Sequence, residues 1–448
     1  MARRRDGLQW AVIGCLCLGW TGTMQASEVS SSGTDQALRA EVVRLAAEHE
    51  GEVIGWRRDI HQHPELSNRE FRTSRLVAEH LRRLGFDEVR TGVAHTGVVG
   101  VLRGGRPGTV VALRADMDAL PIAEQTNVPF ASRETTTYNG LKVGVMHACG
   151  HDAHTAILMG AAQVLAAVRL RLPGTVVFLF QPAEEGPPLE EGGGAKMMIA
   201  QGALDQPHPQ AIFGLHVSPL AASGTVGLRP GALMGDESNF RIVIHGRQTH
   251  AGRPWHGIDP ITVAAQVILA LQTIPSRQLD QGAGVSLITI GTVHGGTRRN
   301  IIPDEVELTG TFRTLNAQAV DDAWRRIRRT VEMVAGSAGA TATVDIVREL
   351  PITYNDPDLA SASLPTLTRL LGSDNVQVPD PVLAAEDFAF YQEKIPGLFL
   401  YLGVRDPQAD PASVEDVHSS RFMVFEPALN VGVRTLSSLA VDYLLAHQ

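Results

Sequence analysis

The length, composition and charge of this chain exclude several classes of protein. Its 448 residues exceed a comfortable single domain and predict two domains with a sizeable buried core. Apolar residues make up 44% of the sequence and charged residues 19%, which is typical of a soluble globular protein and not of a disordered or fibrous one. A formal net charge of -9 argues against nucleic-acid binding, because the phosphate backbone attracts basic surfaces.

The first 26 residues predict a secretory signal peptide. Three arginines at positions 3–5 precede a short apolar stretch from Trp10 to Trp20, and residues 24–26 offer a cleavage site. The apolar stretch is too short to span a bilayer, so we expect an exported protein, periplasmic or secreted, with no stable membrane insertion. Removal of this segment would leave Cys149 as the only cysteine, which excludes a disulfide within the chain.

The next part of the chain predicts an α/β domain. Helical periodicity predicts helices, and short β-rich or apolar runs predict strands. The helices are expected over residues 37–63, 73–84 and 155–168, and the strands over 98–102, 110–113, 176–180 and 211–217. Strands that alternate with helices predict a mainly parallel sheet with helices on both faces.

Between residues 237 and 348 the pattern changes to strand, helix, two strands, helix and strand. The strands are expected over residues 240–245, 285–293, 305–313 and 341–347, and the helices over 261–274 and 320–335. This order is the ferredoxin-like arrangement and predicts an inserted α+β domain. We therefore expect a discontinuous α/β domain, formed by residues 37–236 and 349–448, with residues 237–348 inserted into it.

The strongest chemical signal is a cluster of histidines around the one remaining cysteine. The segment HACGHDAH, residues 147–154, holds three histidines and Cys149 directly before a predicted helix. A thiolate combined with imidazole suits Zn²⁺ or a similar borderline cation. Cys149 and His151 are two residues apart on a turn and can face one ion together. The clustering favours a metal site over a purely structural group of histidines.

Two adjacent glutamates form the second signal. Glu184 and Glu185 follow the predicted strand 176–180, and ligands of open α/β sheets bind beyond the carboxyl ends of the strands. In metal-assisted hydrolysis one such carboxylate can bind the cation while its neighbour holds the attacking water and takes its proton. A solvated acidic loop is the alternative, but the position at a strand end next to a candidate metal cluster favours the catalytic interpretation.

Three further residues extend the same constellation. His216 ends the predicted strand 211–217, and His418 lies in a polar loop near the C-terminus. Asp118 follows the predicted strand 110–113 and could orient an imidazole ligand through its second nitrogen. Each residue alone would be unremarkable in a protein of this size. Ligand chemistry in four separate motifs makes a coincidence a poor explanation.

These motifs together resemble a known family. Over residues 40–445 the chain is similar to the co-catalytic metallopeptidase family that contains aminoacylases, carboxypeptidases and succinyl-diaminopimelate desuccinylase. It most resembles the branch of hippurate hydrolases and auxin-conjugate (IAA-amino acid) amidohydrolases. The resemblance is carried by the motifs RADMDALP, HACGHDAH, QPAEEG, IFGLHV, HAGRP, RRNIIPD and HSSRF.

The resemblance implies a site with two divalent cations and a defined set of ligands. The implied ligands are Cys149, His151, Glu185, His216 and His418, with Cys149 at the position where other branches use a bridging aspartate. The thiolate and the expected export favour Zn²⁺, while Mn²⁺ and Co²⁺ stay open. The implied reaction is the hydrolysis, by a metal-activated water, of the amide bond of an N-acyl amino acid or a small peptide.

The resemblance also implies roles outside the ligand set. Glu184 matches the general base, and Asp118 matches the carboxylate that orients the ligands. His250 in the inserted domain matches a residue that stabilises the tetrahedral oxyanion, and Asn300 and Arg313 match positions that help to bind substrate. To reach the site, His250 needs closure of the inserted domain as a lid, or a homodimer through that domain in which the partner subunit supplies the histidine.

The sequence leaves alternatives open. A metal-binding protein without catalysis would need the ligands but neither Glu184 nor His250. A cysteine hydrolase would use Cys149 as nucleophile with a nearby histidine as base. The preferred substrate also stays open among aromatic N-acyl amino acids, aliphatic N-acyl amino acids and dipeptides. The stretch from Glu185 to Ala195 is longer than in the simplest members of the family, so the rim of the pocket is expected to differ from theirs.

Overall fold

The computed structural model describes residues 24–188 and 190–448. The predicted signal peptide, residues 1–26, lies outside the described residues except for its last three positions. Across the described part of the chain, no helix combines the length and the apolar character needed to cross a membrane.

The helices and strands follow in chain order. The α-helices of the described residues are α1 (Met24–Glu48), α2 (Glu50–Gln62), α3 (Phe71–Arg83), α4 (His151–Ala167), α5 (Gly194–Ala200), α6 (Pro260–Leu271), α7 (Ala319–Ser337), α8 (Pro357–Leu371), α9 (Ala389–Gln392) and α10 (Ala428–Ala446). The strands are β1 (Glu88–Val93), β2 (Gly97–Arg103), β3 (Arg106–Asp116), β4 (Thr135–Tyr138), β5 (Leu141–Gly144), β6 (Pro173–Gln181), β7 (Ala211–Ala222), β8 (Val226–Gly227), β9 (Gly231–Met234), β10 (Asp236–His245), β11 (Thr249–His250), β12 (Ser286–Gly295), β13 (Ile301–Ile302), β14 (Glu305–Thr314), β15 (Thr341–Leu350), β16 (Thr353–Asn355), β17 (Val376–Gln377) and β18 (Gly397–Arg405).

An eight-stranded sheet forms the centre of the larger part of the molecule. Its order is β1-β2-β6-β3-β7-β18-β8-β17, and the four central strands from β6 to β18 pair in parallel. Antiparallel pairing occurs toward the two edges, between β1 and β2, β2 and β6, and β18 and β8. The predicted mainly parallel α/β sheet is confirmed.

Both faces of this sheet are covered, as the alternation of side chains along a strand requires. In β6, Phe178 and Phe180 pack into a core with α1–α4, α8 and α10, whereas Val177 and Leu179 pack into a second core with α5 and α9. The near-continuous apolar sequence of β6 follows from this double coverage, because a strand that is buried on both faces has no solvent side.

A separate four-stranded antiparallel sheet is formed between β10 and β15. Its order is β12-β14-β10-β15, and together with α6 and α7 it makes the predicted ferredoxin-like βαββαβ arrangement with a core of its own. Helix α7 buries Val320, Ala323, Ile327, Val331 and Ala335, which lie three or four residues apart on one face. The exact domain boundaries at 236/237 and 348/349 stay a prediction.

Two local features differ from the sequence prediction. The single helix expected over residues 37–63 is two helices, because the backbone of His49 (φ -93°, ψ 4°) leaves the helical region between α1 and α2. Strand β7 does not end at His216 but continues to Ala222, since β18 pairs with it beyond that point. His216 therefore lies within a strand.

Candidate metal centre

The parallel strands bring the predicted site residues to one edge of the sheet. Strand β3 ends at Asp116 and leads to Asp118, and its neighbour β6 ends at Gln181 and leads to Glu184 and Glu185. Strand β7, on the other side of β3, carries His216. Because these three strands point in the same direction, their carboxyl ends meet.

The five predicted ligands lie close together in space. The Sγ atom of Cys149 is 3.3 Å from Nε2 of His216, and Nε2 of His418 is 3.1 Å from Oε1 of Glu185. His151 Nε2 lies 3.8 Å from Oε2 of Glu184. These residues come from positions up to 269 apart in the sequence, so the fold alone assembles them.

The candidate ligand atoms form two groups that share the thiol. In one group Cys149 lies with His151 and His216, and in the other it lies with Glu185 and His418. Within each group all ligand atoms are within 4.8 Å of one another. A shared central thiol with two flanking pairs of donors is the arrangement expected of a bridging ligand between two cations.

One buried atom indicates that the donors fit a cation. Nε2 of His151 is shielded from solvent and has no hydrogen-bond partner among the described residues. Buried polar atoms without partners are costly, so such atoms point to a ligand. Imidazole, thiolate and carboxylate are the donors that Zn²⁺ and related ions prefer.

A glycine between the two ligands of the HACGHDAH motif permits this geometry. Gly150 has φ 89°, a left-handed conformation that other residues rarely adopt, and it precedes the first residue of α4. A Cβ atom at this position would lie 2.4 Å from Cγ2 of Val217. Glycine therefore lets the chain turn sharply between Cys149 and His151 while it packs against β7.

Asp118 organises the loop that carries the two glutamates. Its carboxylate accepts hydrogen bonds from the backbone N–H groups of Glu184 (3.1 Å) and Glu185 (3.0 Å) and from the Ser67 hydroxyl (2.7 Å). It also contacts Nδ1 of His151 at 3.2 Å. One buried carboxylate thus fixes both glutamates and the imidazole ring, which is the orienting role that the sequence predicted for it.

A second buried carboxylate supports the same loop. Glu70 accepts a hydrogen bond from the backbone N–H of Ala183 at 3.0 Å, and the Thr96 hydroxyl donates to its other oxygen at 2.5 Å. Ala183 has φ 53°, so the loop turns through a left-handed position directly before Glu184. Burial and the nearby Asp118 raise the pKa of Glu70 to about 8. The sequence analysis did not identify Glu70.

The other two histidines of the motif, His147 and His154, belong to neither of the groups that contain the thiol. Nδ1 of His154 is 2.6 Å from Asp116, and its Nε2 accepts a hydrogen bond from the backbone N–H of Val217 at 2.9 Å. Burial lowers the pKa of His154 to about 4, so its ring is neutral near pH 7. The ring of His147 is buried outside both ligand groups, and burial lowers its pKa to about 3.

The electrostatics of the site are dominated by negative charge. Burial raises the pKa of Glu184 well above its usual value, and the carboxylates of Glu386 and Glu185 raise it further. Burial alone would lower the pKa of His151, but Asp116 and Asp118 raise it to about 10. A divalent cation would relieve this excess of carboxylates and reverse the direction of such shifts.

A buried arginine holds a group of carboxylates that the sequence analysis missed. Arg114 forms ion pairs with Asp116 (2.6 Å), Glu386 (3.0 Å) and Asp387 (2.8 Å). Carboxylate atoms of Glu386 and Asp387 lie within 4.8 Å of Glu184. The signal was present in the sequence, because two adjacent acids interrupt the apolar stretch 384–390.

The three predicted residues of the inserted domain differ in position. His250 is exposed on β11, where its Nδ1 accepts a hydrogen bond from Gly252 N at 3.0 Å, and Asn300 is exposed just before β13. Neither side chain lines the cavity beside the candidate ligands. Arg313 does line that cavity, and it pairs with Glu237 at 3.0 Å and donates to the carbonyl of Leu383 at 3.1 Å.

The cavity has a volume of about 1220 Å³ and lies between the two sheets. Its floor carries Cys149, Glu184 and His216, and its opposite side is formed by residues of β10, β14 and β15. Leu220 and Val382 add apolar surface to its wall. A small molecule with both polar and apolar parts fits such a lining.

Comparison with known proteins identifies the family of this chain. The model of peptidase family M20/M25/M40 matches residues 112–442. Thermostable carboxypeptidase 2 of Saccharolobus solfataricus is 40% identical over 393 residues, which cover 87% of this chain and 95% of that protein. IAA-amino acid hydrolase ILR1-like 5 of Arabidopsis thaliana is 40% identical over 397 residues, which cover 88% of this chain and 87% of that protein.

A solved structure shows the same fold at high similarity. The Bacillus subtilis YXEP protein, a dinuclear metal binding peptidase from the M20 family, has a TM-score of 0.75 and 36% sequence identity, with 89% of this chain and 99% of that chain covered. The family match spans most of the described residues, and relatives at 40% identity are named hydrolases. This chain is therefore a hydrolase that belongs to peptidase family M20/M25/M40, as its sequence motifs predicted.

Proposed function

We propose that this protein is a two-metal amidohydrolase that cleaves the amide bond of an N-acyl amino acid or a small peptide. The observation that carries the proposal is the pair of ligand groups, Cys149 with His151 and His216, and Cys149 with Glu185 and His418, beside the free carboxylate of Glu184. A metal-binding protein without catalysis would not need that carboxylate, nor the two acids Glu386 and Asp387 beside it.

The proposed cofactors are two divalent cations, with Zn²⁺ favoured by the thiolate and Mn²⁺ or Co²⁺ as alternatives. When bound, such ions polarise a carbonyl group and acidify a water molecule. Asp118 holds the ligands His151 and Glu185 in place, and the sheet carries His216 on β7. The protein therefore contributes a preorganised set of donors.

The protein side chains divide the remaining work. Glu184 takes the proton from the attacking water and returns it to the leaving amine, a role that suits a carboxylate next to the ligands His151 and Glu185. Asp118 holds the backbone of Glu184 and the ring of His151 in place. His250 donates to the developing oxyanion after the inserted domain closes or a partner subunit approaches in a homodimer.

A cysteine-hydrolase mechanism is the weaker candidate. The distance of 3.3 Å between Cys149 and His216 is suitable for a thiol–imidazole pair, and Nδ1 of His216 donates to the carbonyl of Val217. Burial and the charges of Glu185 and Glu184, however, raise the pKa of the Cys149 thiol well above its usual value. A cysteine nucleophile needs the opposite shift.

A substrate screen tests the proposed function. The metal-reconstituted protein would be assayed on aromatic N-acyl amino acids, aliphatic N-acyl amino acids and dipeptides, with product amines measured directly. We expect hydrolysis of at least one class. The same panel with the Glu184→Gln variant gives the background rate. The absence of turnover on every class, with both ions bound, would contradict the proposal.

We also propose that the protein is exported, with residues 1–26 removed, to the periplasm or the medium. The basic residues at positions 3–5 and the apolar stretch that follows support this proposal. The N-terminal sequence of the protein recovered from the exported fraction would identify the cleavage site. Recovery of an uncleaved chain from the cytoplasm alone would contradict export.

A further inference from the structure

One loop beside the candidate metal centre is longer than in the simplest members of the family, and the proposed function gives it no role. This loop, the rim loop, follows Glu185 and consists of residues 186–188 and 190–194 in the part of the chain that the structure describes. Its residues that line the cavity are Gly186, Pro187, Gly192, Gly193 and Gly194. Glu190 and Glu191 are not among the described residues of that lining. The loop therefore presents an uncharged surface to the cavity, directly next to a proposed ligand.

An ion pair joins the rim loop to the segment before α3. Arg69 donates to both carboxylate oxygens of Glu191, at 2.6 and 3.1 Å. The side-chain amide of Asn68 donates to the same carboxylate at 3.1 Å and to the carbonyl of Gly192 at 3.0 Å. Nε2 of His95 also donates to that carbonyl, at 3.0 Å. Two consecutive residues of the loop are thus held from outside the cavity.

The two ends of the rim loop also pack against each other. A Cβ atom at Gly193 would lie 3.0 Å from Cβ of Pro187 and 3.0 Å from Oδ1 of Asn68. Asn68 is buried, whereas Arg69 and Glu191 are partly exposed. An exposed ion pair contributes little to the stability of a whole protein. We therefore expect the Arg69–Glu191 pair to act locally, on the position of the loop that it holds.

The same segment before α3 holds the loop of the two glutamates. Ser67 donates to the carboxylate of Asp118 at 2.7 Å, and Glu70 accepts a hydrogen bond from the backbone N–H of Ala183 at 3.0 Å. Residues 67–70 therefore contact, one after another, the orienting carboxylate, the rim loop and the turn before the proposed general base. These contacts fix the rim loop relative to that base.

We propose that Arg69 and Glu191 determine substrate specificity, because their pair holds the rim loop as a fixed wall against the acyl group of the substrate. The proposal rests on the proposed function, since it needs a substrate with an acyl group beside the scissile amide. Glycine and proline offer no charged group, so this wall suits an apolar acyl group. A wall that is fixed before binding loses no conformational freedom on binding. A large apolar acyl group, which makes more contacts with the wall, therefore gains more from the pair than a small one.

A binding comparison between two acyl groups tests the proposal without the need for turnover. The metal-loaded Glu184→Gln protein would be titrated by calorimetry with N-benzoylglycine and with N-acetylglycine, which differ only in the acyl group. We expect the added substitution Arg69→Met to weaken binding of N-benzoylglycine by about tenfold and to leave binding of N-acetylglycine within about twofold. Glu191→Gln on top of Arg69→Met should cause little further loss, because both substitutions remove the same pair.

A control variant and a second measurement make the result decisive. Arg169 donates to both carboxylate oxygens of Asp87, and neither residue lines the cavity, so Arg169→Met should leave both affinities unchanged. Cleavage after Glu190 or Glu191 by a glutamate-specific protease reports on the rim loop itself, and it should be faster in Arg69→Met than in Arg169→Met.

Several outcomes would overturn the proposal. They are an equal loss of affinity for both ligands in Arg69→Met, an unchanged affinity for N-benzoylglycine, and cleavage of the rim loop at the rate of the control variant. Failure of the substrate screen would contradict the proposed function but would leave this binding comparison valid.

Discussion

Two regions differ in how far they are preorganised. They are the loops at the candidate metal centre of the α/β body, which is built around the eight-stranded sheet, and the short two-stranded sheet of β11 and β13 that carries His250. In the body, Asp118 alone accepts hydrogen bonds from Glu184, Glu185 and Ser67, and the site residues on β3 and α4 are almost fully buried. His250 lies instead on the short strand β11, exposed to solvent, outside the cavity lining.

The difference indicates that the two regions contribute at different stages of turnover. A ligand set held by buried hydrogen bonds is assembled before substrate arrives, and such preorganisation avoids reorganisation during the reaction. An exposed residue on a separate sheet contributes only after a movement or an association. In the proposed function, the body supplies the metal chemistry, and His250 of the inserted domain supplies a contact that completes the site.

Chelation of the metal ions should lower the hydrolytic activity more than any other change. It acts on the α/β body, which carries all five proposed ligands. We expect EDTA, followed by removal of the chelator, to abolish amide hydrolysis, because the ligands then lose the ions that polarise the carbonyl. Addition of Zn²⁺ should restore activity, which metal analysis can correlate with two ions per chain. Activity that survives EDTA but is lost on thiol alkylation would favour the cysteine hydrolase instead.

Substitution of the general base should have the next largest effect. Glu184→Gln preserves the size of the side chain but removes the proton acceptor, so kcat should fall by about 10²–10⁴-fold. Bound metal should stay at the level of the unmodified protein, because the ligands are untouched. Near-normal turnover in this variant would remove Glu184 from the proposed role.

Removal of the oxyanion donor tests the inserted domain. We expect His250→Ala to lower kcat by about 10²-fold or more with little change in bound metal. His294→Ala, which changes another exposed histidine of the same domain on β12, is the matched control and should keep full activity. An unchanged kcat in His250→Ala would make the inserted domain irrelevant to the chemistry.

A mixing experiment then separates closure from association. If a partner subunit supplies the histidine, a mixture of the inactive His250→Ala and Glu184→Gln proteins should regain activity through mixed dimers. If the domain closes on its own chain, the mixture should stay inactive.

The smallest expected effect is on how the free energy of unfolding of the α/β body changes with pH. Burial lowers the pKa of His80 from 6.5 to about 4, and its Nε2 donates to the carbonyl of Met159. The unfolded chain therefore takes up this proton at higher pH than the folded chain, so stability falls as pH drops from 6.5 toward 4. Between pH 7 and 5 this histidine should account for about 2 kcal/mol of the loss.

Urea unfolding at the two pH values measures this contribution. His80→Gln removes the titrating group, so the stability difference between pH 7 and 5 should shrink in this variant, whatever its absolute stability. His294→Gln, at the exposed site of the inserted domain, should leave the difference unchanged. An identical pH dependence in all three proteins would contradict the assignment to His80.

The sequence predicted the fold and most of the site because both are encoded in local patterns. The apolar run of β6 and the alternation of strands with helices determined the parallel sheet, and the βαββαβ order determined the second sheet. Motifs that follow parallel strands converge at one edge of the sheet, so Asp118 and Glu185 could be grouped without coordinates. Cys149 and His216 could be added to them through their ligand chemistry and the family resemblance.

Other features depended on contacts between distant residues and had no local pattern. In the sequence, Glu70 is a single acidic residue before a helix. Only the fold brings its carboxylate to the backbone of Ala183. The pairing of Arg114 with Glu386 joins positions 272 apart. His154 has the same local context as His151, yet Asp116 and Val217 occupy both of its nitrogens.

The sequence by itself thus determined which segments form helices and strands, which family the chain resembles and which residues have ligand chemistry. Spacing and residue type are properties of the chain and need no coordinates. The tertiary structure decided which nitrogens of the described histidines stay free of protein hydrogen bonds and which carboxylates orient other side chains. These outcomes depend on hydrogen bonds and ion pairs between residues far apart in sequence, and a one-dimensional pattern does not specify such pairings.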